Sequence, residues 1–113
     1  MNQVAFIGRI CREINLNQTQ DGTAVLNNTL AINRPYQTKD NEDADFIPFV
    51  AWGNRAQLID EYCKKGHLLG ITGKMQSRHY EKDNNKIYVL ECIVENIHFI
   101  QPKSKMNETK EMI

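Results

Sequence analysis

The chain has 113 residues, and its 14 basic and 14 acidic side chains give a formal net charge of zero. That length predicts one domain with a single core. The neutral balance predicts no general attraction to polyanions, although a neutral chain can still present a basic groove. With no signal peptide, no apolar run near about 18 residues and three cysteines without metal-type spacing, we expect a soluble cytoplasmic protein. Its thiols should be reduced, and nothing in the sequence requires a metal.

The first third of the chain predicts two strands separated by a polar segment. Residues 2–11 contain an apolar run, and Gly8 within it indicates a bulge or bend. Asp21 and Gly22 are a strong turn pair, and residues 23–33 follow as a long second strand. One face of that strand is apolar, and the other is small and polar, as expected of a surface over which something flat could lie.

The most aromatic stretch is residues 45–52, which is too short for a typical helix and rich in aromatic and β-branched residues. It predicts a third strand. Because side chains alternate along a strand, Phe46 and Trp52 share one face and Phe49 lies on the other. Either this strand is buried on both sides, or one face displays aromatic rings to a ligand. Pro48 cannot donate a ladder hydrogen bond and predicts a bulge or an unpaired edge.

The second half of the chain predicts one helix and two more strands. The helix covers residues 54–65, with Asn54 as N-cap, Gln57 completing a capping box and Gly66 in the left-handed position after the last turn. The fourth and fifth strands and the hairpin loop between them cover residues 67–80, 87–100 and 81–86.

The predicted order is strand, strand, strand, helix, strand, strand. An all-β chain with five strands and one helix between strands 3 and 4 has the element order of an OB-fold barrel. We expect this domain to span residues 1–101, because the chain turns polar from Gln101 onward. Residues 102–113 are then expected to form a short flexible tail.

Flat rings and cations occur together near the loops and on the polar strand faces. Non-specific binding of a single nucleic-acid strand needs this mixture, because each base stacked on a ring contributes roughly 1–3 kcal/mol and cations neutralise phosphates. Burial in a core does not readily explain Tyr36 in a polar loop or Tyr80 beside a hairpin loop, whereas Phe46 fits a core as well as a ligand face. The candidate binding residues are Arg34, Tyr36, Lys39, Phe46, Trp52, Arg55, Lys74, Arg78 and Tyr80.

Several short segments also stand in a characteristic order, at residues 2–9, 30–34 (LAINR), 45–53, 62–66 (YCKKG), 73–80 (GKMQSRHY) and 88–91 (YVLE). In this order and spacing the chain resembles the bacterial and phage single-stranded DNA-binding protein family from residue 1 to about residue 101. The resemblance implies an OB-fold, no catalysis, no cofactor, and a homotetramer assembled through the first strand and sheet faces. It also implies base stacking at Tyr36, Phe46, Trp52 and Tyr80 and DNA contacts at Lys39 and Arg78.

Two departures from the family pattern bear on function. Gln76 stands where the family often has a basic residue, which weakens one expected phosphate contact. Family members that recruit replication and repair proteins carry a long tail with an acidic, apolar-tipped end, whereas residues 107–113 here mix charges. Recruitment through the tail is therefore left open, and the short tail is typical of a phage-encoded, plasmid-borne or secondary cellular version.

The leading hypothesis is a non-enzymatic protein that coats single-stranded DNA without strong sequence preference during replication, recombination or repair. It would act in the cytoplasm, at the nucleoid or in the host cytoplasm of a phage. A close alternative is an OB-fold that binds RNA or structured nucleic acid through the same faces. A third is a protein-assembly domain whose rings are buried between subunits, so that oligonucleotides leave the Trp52 fluorescence unchanged. An enzyme is disfavoured, because no nucleophile motif or glycine-rich phosphate loop is recognisable.

Overall fold

A computed structural model describes residues 1–35 and 43–100. Tyr36, Lys39 and the predicted tail at 102–113 lie outside the described residues. No helix of the described part is long and apolar enough to cross a membrane. In chain order its elements are β1 Val4–Ile10, β2 Leu16–Gln18, β3 Ala24–Asn33, β4 Ala44–Trp52, α1 Asn54–Tyr62, β5 Leu68–Lys82 and β6 Asn85–Phe99.

Five of these strands close into a ring. β1 pairs with β5, β5 with β6, β6 with β4, β4 with β3, and β3 pairs back with β1. The closing contact is short, with Arg9 and Ile10 of β1 opposite Ala31 and Leu30 of β3. β2 is an additional strand that pairs with one end of β3. The predicted OB-fold barrel is confirmed, and α1, between β4 and β5, lies between the third and fourth strands of the ring.

The core lies inside the ring, where alternate residues of each strand point. The apolar face predicted for β3 is buried, including Leu26 and Leu30, and α1 packs Ala56 and Ile59 against it. Fully burying one such large apolar side chain stabilises the fold by about 1.5–3 kcal/mol. The largest fully buried side chains are Phe49, Ile10, Leu26, Leu30, Ile59, Leu69, Ile71 and Cys92.

Two glycines allow close backbone contacts in the barrel. Gly8, which the sequence predicts to mark a bulge or a bend, forms no bulge, because β1 pairs with β5 in unbroken register through this residue. A Cβ on Gly8 would lie 2.6 Å from the carbonyl oxygen of Ala31, so glycine is needed where β1 passes close to β3. The bulge instead lies at Gly73 of β5, where Glu95 is the extra residue in β6. A Cβ on Gly73 would lie 1.9 Å from the carbonyl oxygen of Ile93.

Pro48 is accommodated without a bulge. The register between β3 and β4 runs unbroken through Pro48, which lies opposite Thr29. On its other edge β4 pairs with β6 only at Phe49 and Val50. Pro48 therefore lies next to a stretch of β4 with one unpaired edge, where its missing N–H removes no ladder hydrogen bond.

The helix is shorter than predicted and starts differently. Gly53, with φ of 62°, is the N-cap, and no side chain caps this end, so the predicted N-cap role of Asn54 is wrong. The helix ends at Tyr62, three residues before the predicted end. Gly66 is left-handed as expected, with φ of 92°, but it lies in the turn that leads into β5.

The hairpin of β5 and β6 is longer and tighter than predicted. Its turn consists of Asp83 and Asn84, which have φ of 55° and 67°, and Lys82 lies opposite Asn85. Positive φ at both central residues is the pattern of a type I′ turn, which fits the twist of the flanking strands. The predicted loop at 81–86 is therefore mostly strand. Residues 76–91 form a two-stranded ribbon, here called the hairpin arm.

Candidate nucleic-acid interface

Four neighbouring strands share one surface on the outside of the barrel, here called the outer face. The strands lie in the order β5, β6, β4, β3. Their registers place Lys74, Ile93, Val50 and Asn27 side by side in one row across this surface. Residues two positions away along each strand point the same way, so the register determines which other side chains join the outer face.

The two faces of β4 differ sharply in exposure. Phe49 is 1% exposed inside the barrel, whereas Phe46 and Trp52 on the outer face are 61% and 43% exposed. Phe46 lies opposite the small Ala31, and Trp52 lies opposite Val25. β4 is therefore not buried on both faces, and its outer face displays the rings of Phe46 and Trp52 to solvent. At about 3.3 Å per residue, Phe46 and Trp52 are about 20 Å apart along the strand, far enough to serve different bases.

β5 brings two cations and a third ring to the same surface. Lys74, Arg78 and Tyr80 alternate with residues of the opposite face, and all three are exposed. Across β6 they lie opposite half-buried aliphatic side chains, which gives the polar groups an apolar base on which their stems can rest. These partners are Ile93, Val89 and Ile87.

Arg78 is held by a carboxylate. Its Nε lies 2.9 Å from Oε2 of Glu91, and the side chains are 51% and 9% exposed, respectively. The Glu91 carboxylate raises the pKa of Arg78, so the guanidinium keeps its charge. A guanidinium has five N–H donors, and among the described residues this pair uses only Nε. The terminal nitrogens can still donate to a phosphate.

Arg34 and Arg55 are tied to the protein itself. Nη2 of Arg34 lies 2.8 Å from Oδ1 of Asp45, and this hydrogen-bonded pair lowers the pKa of Asp45. The backbone N–H of Arg34 also donates to the Asp43 carbonyl at 2.8 Å. Nε of Arg55, in the first turn of α1, donates to the carbonyl of bulged Glu95 at 2.6 Å. These cations therefore fasten neighbouring segments.

The structure divides the predicted binding residues into three groups. Arg34 and Arg55 anchor the ends of β3 and α1, and Tyr36 and Lys39 lie outside the described residues. The residues that the structure brings together on the outer face are Phe46, Trp52, Lys74, Arg78 and Tyr80.

The sequence interpretation predicts the turn before β3 but does not place it in the candidate interface. Trp52 borders a shallow depression whose other lining residues are Thr19, Gln20, Asp21 and Thr23. They are close because Trp52 pairs with Val25 and the turn precedes that residue on β3. The sequence does mark the turn through Asp21 and Gly22. It does not show that the turn lies beside the tryptophan, because that depends on strand pairing.

Residues 1–100 match the family model described as "Single-strand binding protein family". The chain belongs to this family. The resemblance drawn from the short sequence segments is thereby confirmed, and the matched range includes all of the described residues.

Curated members of the single-strand binding protein family align along almost the whole chain. A Bacillus cereus protein named single-stranded DNA-binding protein is 38% identical over 112 residues, which are 97% of this chain and 66% of that protein. A protein of the same name from Halalkalibacterium halodurans is 36% identical over 110 residues, which are 96% of this chain and 66% of that protein. Single-stranded DNA-binding protein 3 of Clostridium acetobutylicum is 39% identical over 111 residues, which are 96% of this chain and 77% of that protein. The chain thus spans 66% of the length of the first two relatives.

A solved structure has the same architecture. The Plasmodium falciparum SSB, determined in complex with ssDNA, superposes with a TM-score of 0.79 and covers 89% of this chain and 96% of its own. Its sequence identity is 24%. The similarity therefore supports the OB-fold assignment made from the closed ring of strands.

Proposed function

We propose that the chain binds and coats single-stranded DNA with little sequence preference. The observation that carries this proposal is the outer face, where exposed Phe46, Trp52 and Tyr80 lie on one sheet with Lys74 and Arg78. Rings offer stacking surfaces that every base can use, and cations add a sequence-independent attraction to the backbone. Relatives bearing the name single-stranded DNA-binding protein support this assignment.

The geometry favours binding because the contact groups are already ordered. Phe46 and Trp52 stand on a strand that pairs along its full length with β3, and Arg78 is oriented by Glu91. Groups ordered before binding lose less conformational entropy when the ligand arrives. Binding of this kind needs no chemical step, catalytic group or cofactor. We place its role in protecting single strands during replication, recombination or repair in the cytoplasm.

We also propose a division of the chain and a self-assembly. Residues 1–101 would form the binding domain, with residues 102–113 as a flexible tail. A homotetramer would use the exposed surface of β1, where Ile7 is 57% exposed and lies opposite Gly70, which in turn lies opposite His98. This apolar region lies at the start of β5, so assembly there leaves Arg78 and Tyr80 accessible. Multi-angle light scattering should report a tetramer for the wild type and a smaller species for I7D.

The binding proposal is tested by titrating Trp52 fluorescence with oligothymidylate at low and moderate salt. Trp52 is the single tryptophan of the chain, so any change in tryptophan fluorescence reports on this residue. We expect saturable quenching, with an affinity that falls as salt rises because phosphate neutralisation releases counterions. An unchanged signal, with no binding detected by a second assay, would support the assembly alternative instead. The same titration with oligouridylate measures how far binding extends to RNA.

The hairpin arm supplies a matched control. Tyr80 lies on the outer face, whereas Tyr88 lies on the opposite face of the arm, 70% exposed and with its ring centroid 5.7 Å from that of His79. Y80A should weaken DNA binding by roughly 1–3 kcal/mol, the value of one stacked base. Y88A should leave affinity unchanged. Equal effects of the two substitutions would argue against the outer face as the binding surface.

A further inference from the structure

The turn beside Trp52 brings an acidic residue into a surface otherwise supplied with cations. We propose that Asp21 contacts the edge of the base stacked on Trp52 and there favours cytosine over thymine. This inference rests on the proposed function, because it assumes that a base occupies the depression. It adds a local base preference to a surface that binds most of the strand through stacking and phosphate contacts.

Backbone hydrogen bonds hold the turn next to the tryptophan. The Gly53 N–H, directly after Trp52, donates to the Ala24 carbonyl at 2.8 Å. Within the turn, the Gly22 N–H donates to the Thr19 carbonyl at 2.9 Å, and the Thr19 N–H donates to the Thr23 carbonyl at 2.9 Å. The position of the turn relative to Trp52 is therefore set by the β3–β4 pairing and by contacts within the turn.

The Asp21 carboxylate is oriented within this turn. Its Oδ1 accepts a hydrogen bond from the Thr19 hydroxyl and another from the Thr23 backbone N–H at 3.3 Å. The Thr19 hydroxyl is the main cause of a lowered pKa of Asp21, so the group is ionised at neutral pH. An ionised carboxylate has about four acceptor positions. Acceptor capacity therefore remains for a ligand in the depression.

The charge of the depression selects a base rather than a phosphate. Its lining among the described residues is Thr19, Gln20, Asp21, Thr23 and Trp52, with no lysine or arginine. A phosphate placed there would meet the Asp21 carboxylate and be repelled. A base stacked on Trp52 brings a flat apolar ring and a polar edge, which match the indole and the polar turn.

The edge chemistry then separates the two pyrimidines. Cytosine carries an exocyclic amine that donates to Asp or Glu, whereas thymine carries the O4 acceptor at the same position. A carboxylate therefore gains a hydrogen bond from cytosine and opposes the oxygen of thymine. Gln20 does not discriminate in this way, because an amide both donates and accepts. One hydrogen bond at this exposed position corresponds to about a three- to tenfold difference in affinity.

The test compares the ratio of oligocytidylate to oligothymidylate affinity in wild type, D21N and D60N, measured by anisotropy of labelled oligonucleotides. D21N keeps an oxygen for the turn hydrogen bonds, and Asn-Gly is as good a turn pair as Asp-Gly. D60N makes the same change of charge at an exposed position of α1. Both variants raise general affinity for a polyanion, so the ratio isolates the contact at the base edge.

We expect the cytosine-to-thymine ratio to fall about three- to tenfold in D21N and to stay at the wild-type value in D60N. D21S, a second uncharged replacement by a common turn residue, should show the same fall. Tight binding of both oligonucleotides with an unchanged ratio in D21N and D21S would overturn the inference and leave the proposed function standing. Failure of the wild type to bind either oligonucleotide would contradict both the inference and the proposed function.

Discussion

The two faces of β4 have similar compositions and opposite roles. Phe49 points into the barrel and is almost completely buried, while Phe46 and Trp52 point outward and are largely accessible. All three belong to one strand with one unbroken register to β3. Hydrophobicity alone thus does not separate a core residue from a ligand contact in this protein. The direction of the side chain, combined with barrel closure, separates them.

This difference assigns stability to inward Phe49 and binding to the outward rings of Phe46 and Trp52. Inward side chains gain from removing apolar area from water. The outward rings keep their apolar area exposed in the free protein. This area contributes a favourable free energy only when a flat ligand covers the rings. An exposed apolar surface on a soluble domain commonly marks an interaction site. Substitutions on the two faces should therefore change different measurements.

The largest expected effect is that of F49A on the inner face. Removing a fully buried phenylalanine should lower the free energy of unfolding by about 3–5 kcal/mol, because apolar burial is lost and a cavity forms. Urea denaturation followed by circular dichroism measures this change. A loss below about 1 kcal/mol, as for an ordinary surface substitution, would contradict the division between the faces.

The matched substitutions F46A and W52A should act on binding instead. Each should weaken affinity for oligothymidylate by roughly 1–3 kcal/mol, measured by anisotropy of a labelled oligonucleotide, since W52A removes the fluorescent reporter. The free energy of unfolding should change by less than about 0.5 kcal/mol, as for surface positions. A large loss of stability in either variant would show that its ring supports the fold.

R78A and K74A should differ in stability and agree in salt dependence. Removing one phosphate contact should reduce the slope of log affinity against log salt by about 0.7 in each variant. R78A should also destabilise the protein by about 1–3 kcal/mol, because Glu91 is buried and loses its hydrogen-bond partner. No such partner pairs with Lys74 among the described residues. Equal stability of the two variants would argue that the Arg78–Glu91 pair is not maintained.

The last expected effect is confined to alkaline pH and concerns the thiols. Burial raises the pKa of Cys63 from 9.0 to about 11. Because the folded chain holds this proton more tightly than the unfolded chain, the contribution to stability is complete below about pH 9 and is lost as pH rises to about 11. C63A should reduce the fall in unfolding free energy across this interval, and C11A, at a half-buried position, is the control. An identical pH dependence in wild type and C63A would contradict this cause.

Much of the fold was predictable because alternation and element order are local properties. The faces of β3 and β4, the position of the helix in the strand order, and the turn at Asp21 and Gly22 all follow from short-range patterns. The sequence predicts a bulge or a bend at Gly8, because sequence alone cannot show whether a glycine relieves a bulge or a close strand crossing. That distinction depends on contact with Ala31, far along the chain.

The candidate interface was predictable to about the same extent as the fold. Alternation along β4 and β5 correctly separates outward Phe46, Trp52 and Tyr80 from inward neighbours. It does not reveal that Arg34 pairs with Asp45 or that Arg55 binds a backbone carbonyl. These contacts form only when the barrel closes, and the depression beside Trp52 forms in the same way.

The central claim is that the rings of Phe46 and Trp52 on the outer face bind single-stranded DNA without contributing to the fold. It is tested most directly by measuring the unfolding free energy of wild type and the F46A/W52A double variant, with and without oligothymidylate. At a DNA concentration about 100 times the wild-type Kd, wild type should gain about 2.7 kcal/mol of stability. The double variant should match wild type without DNA and gain little with it. An equal gain in both proteins would show that DNA binds elsewhere on the molecule.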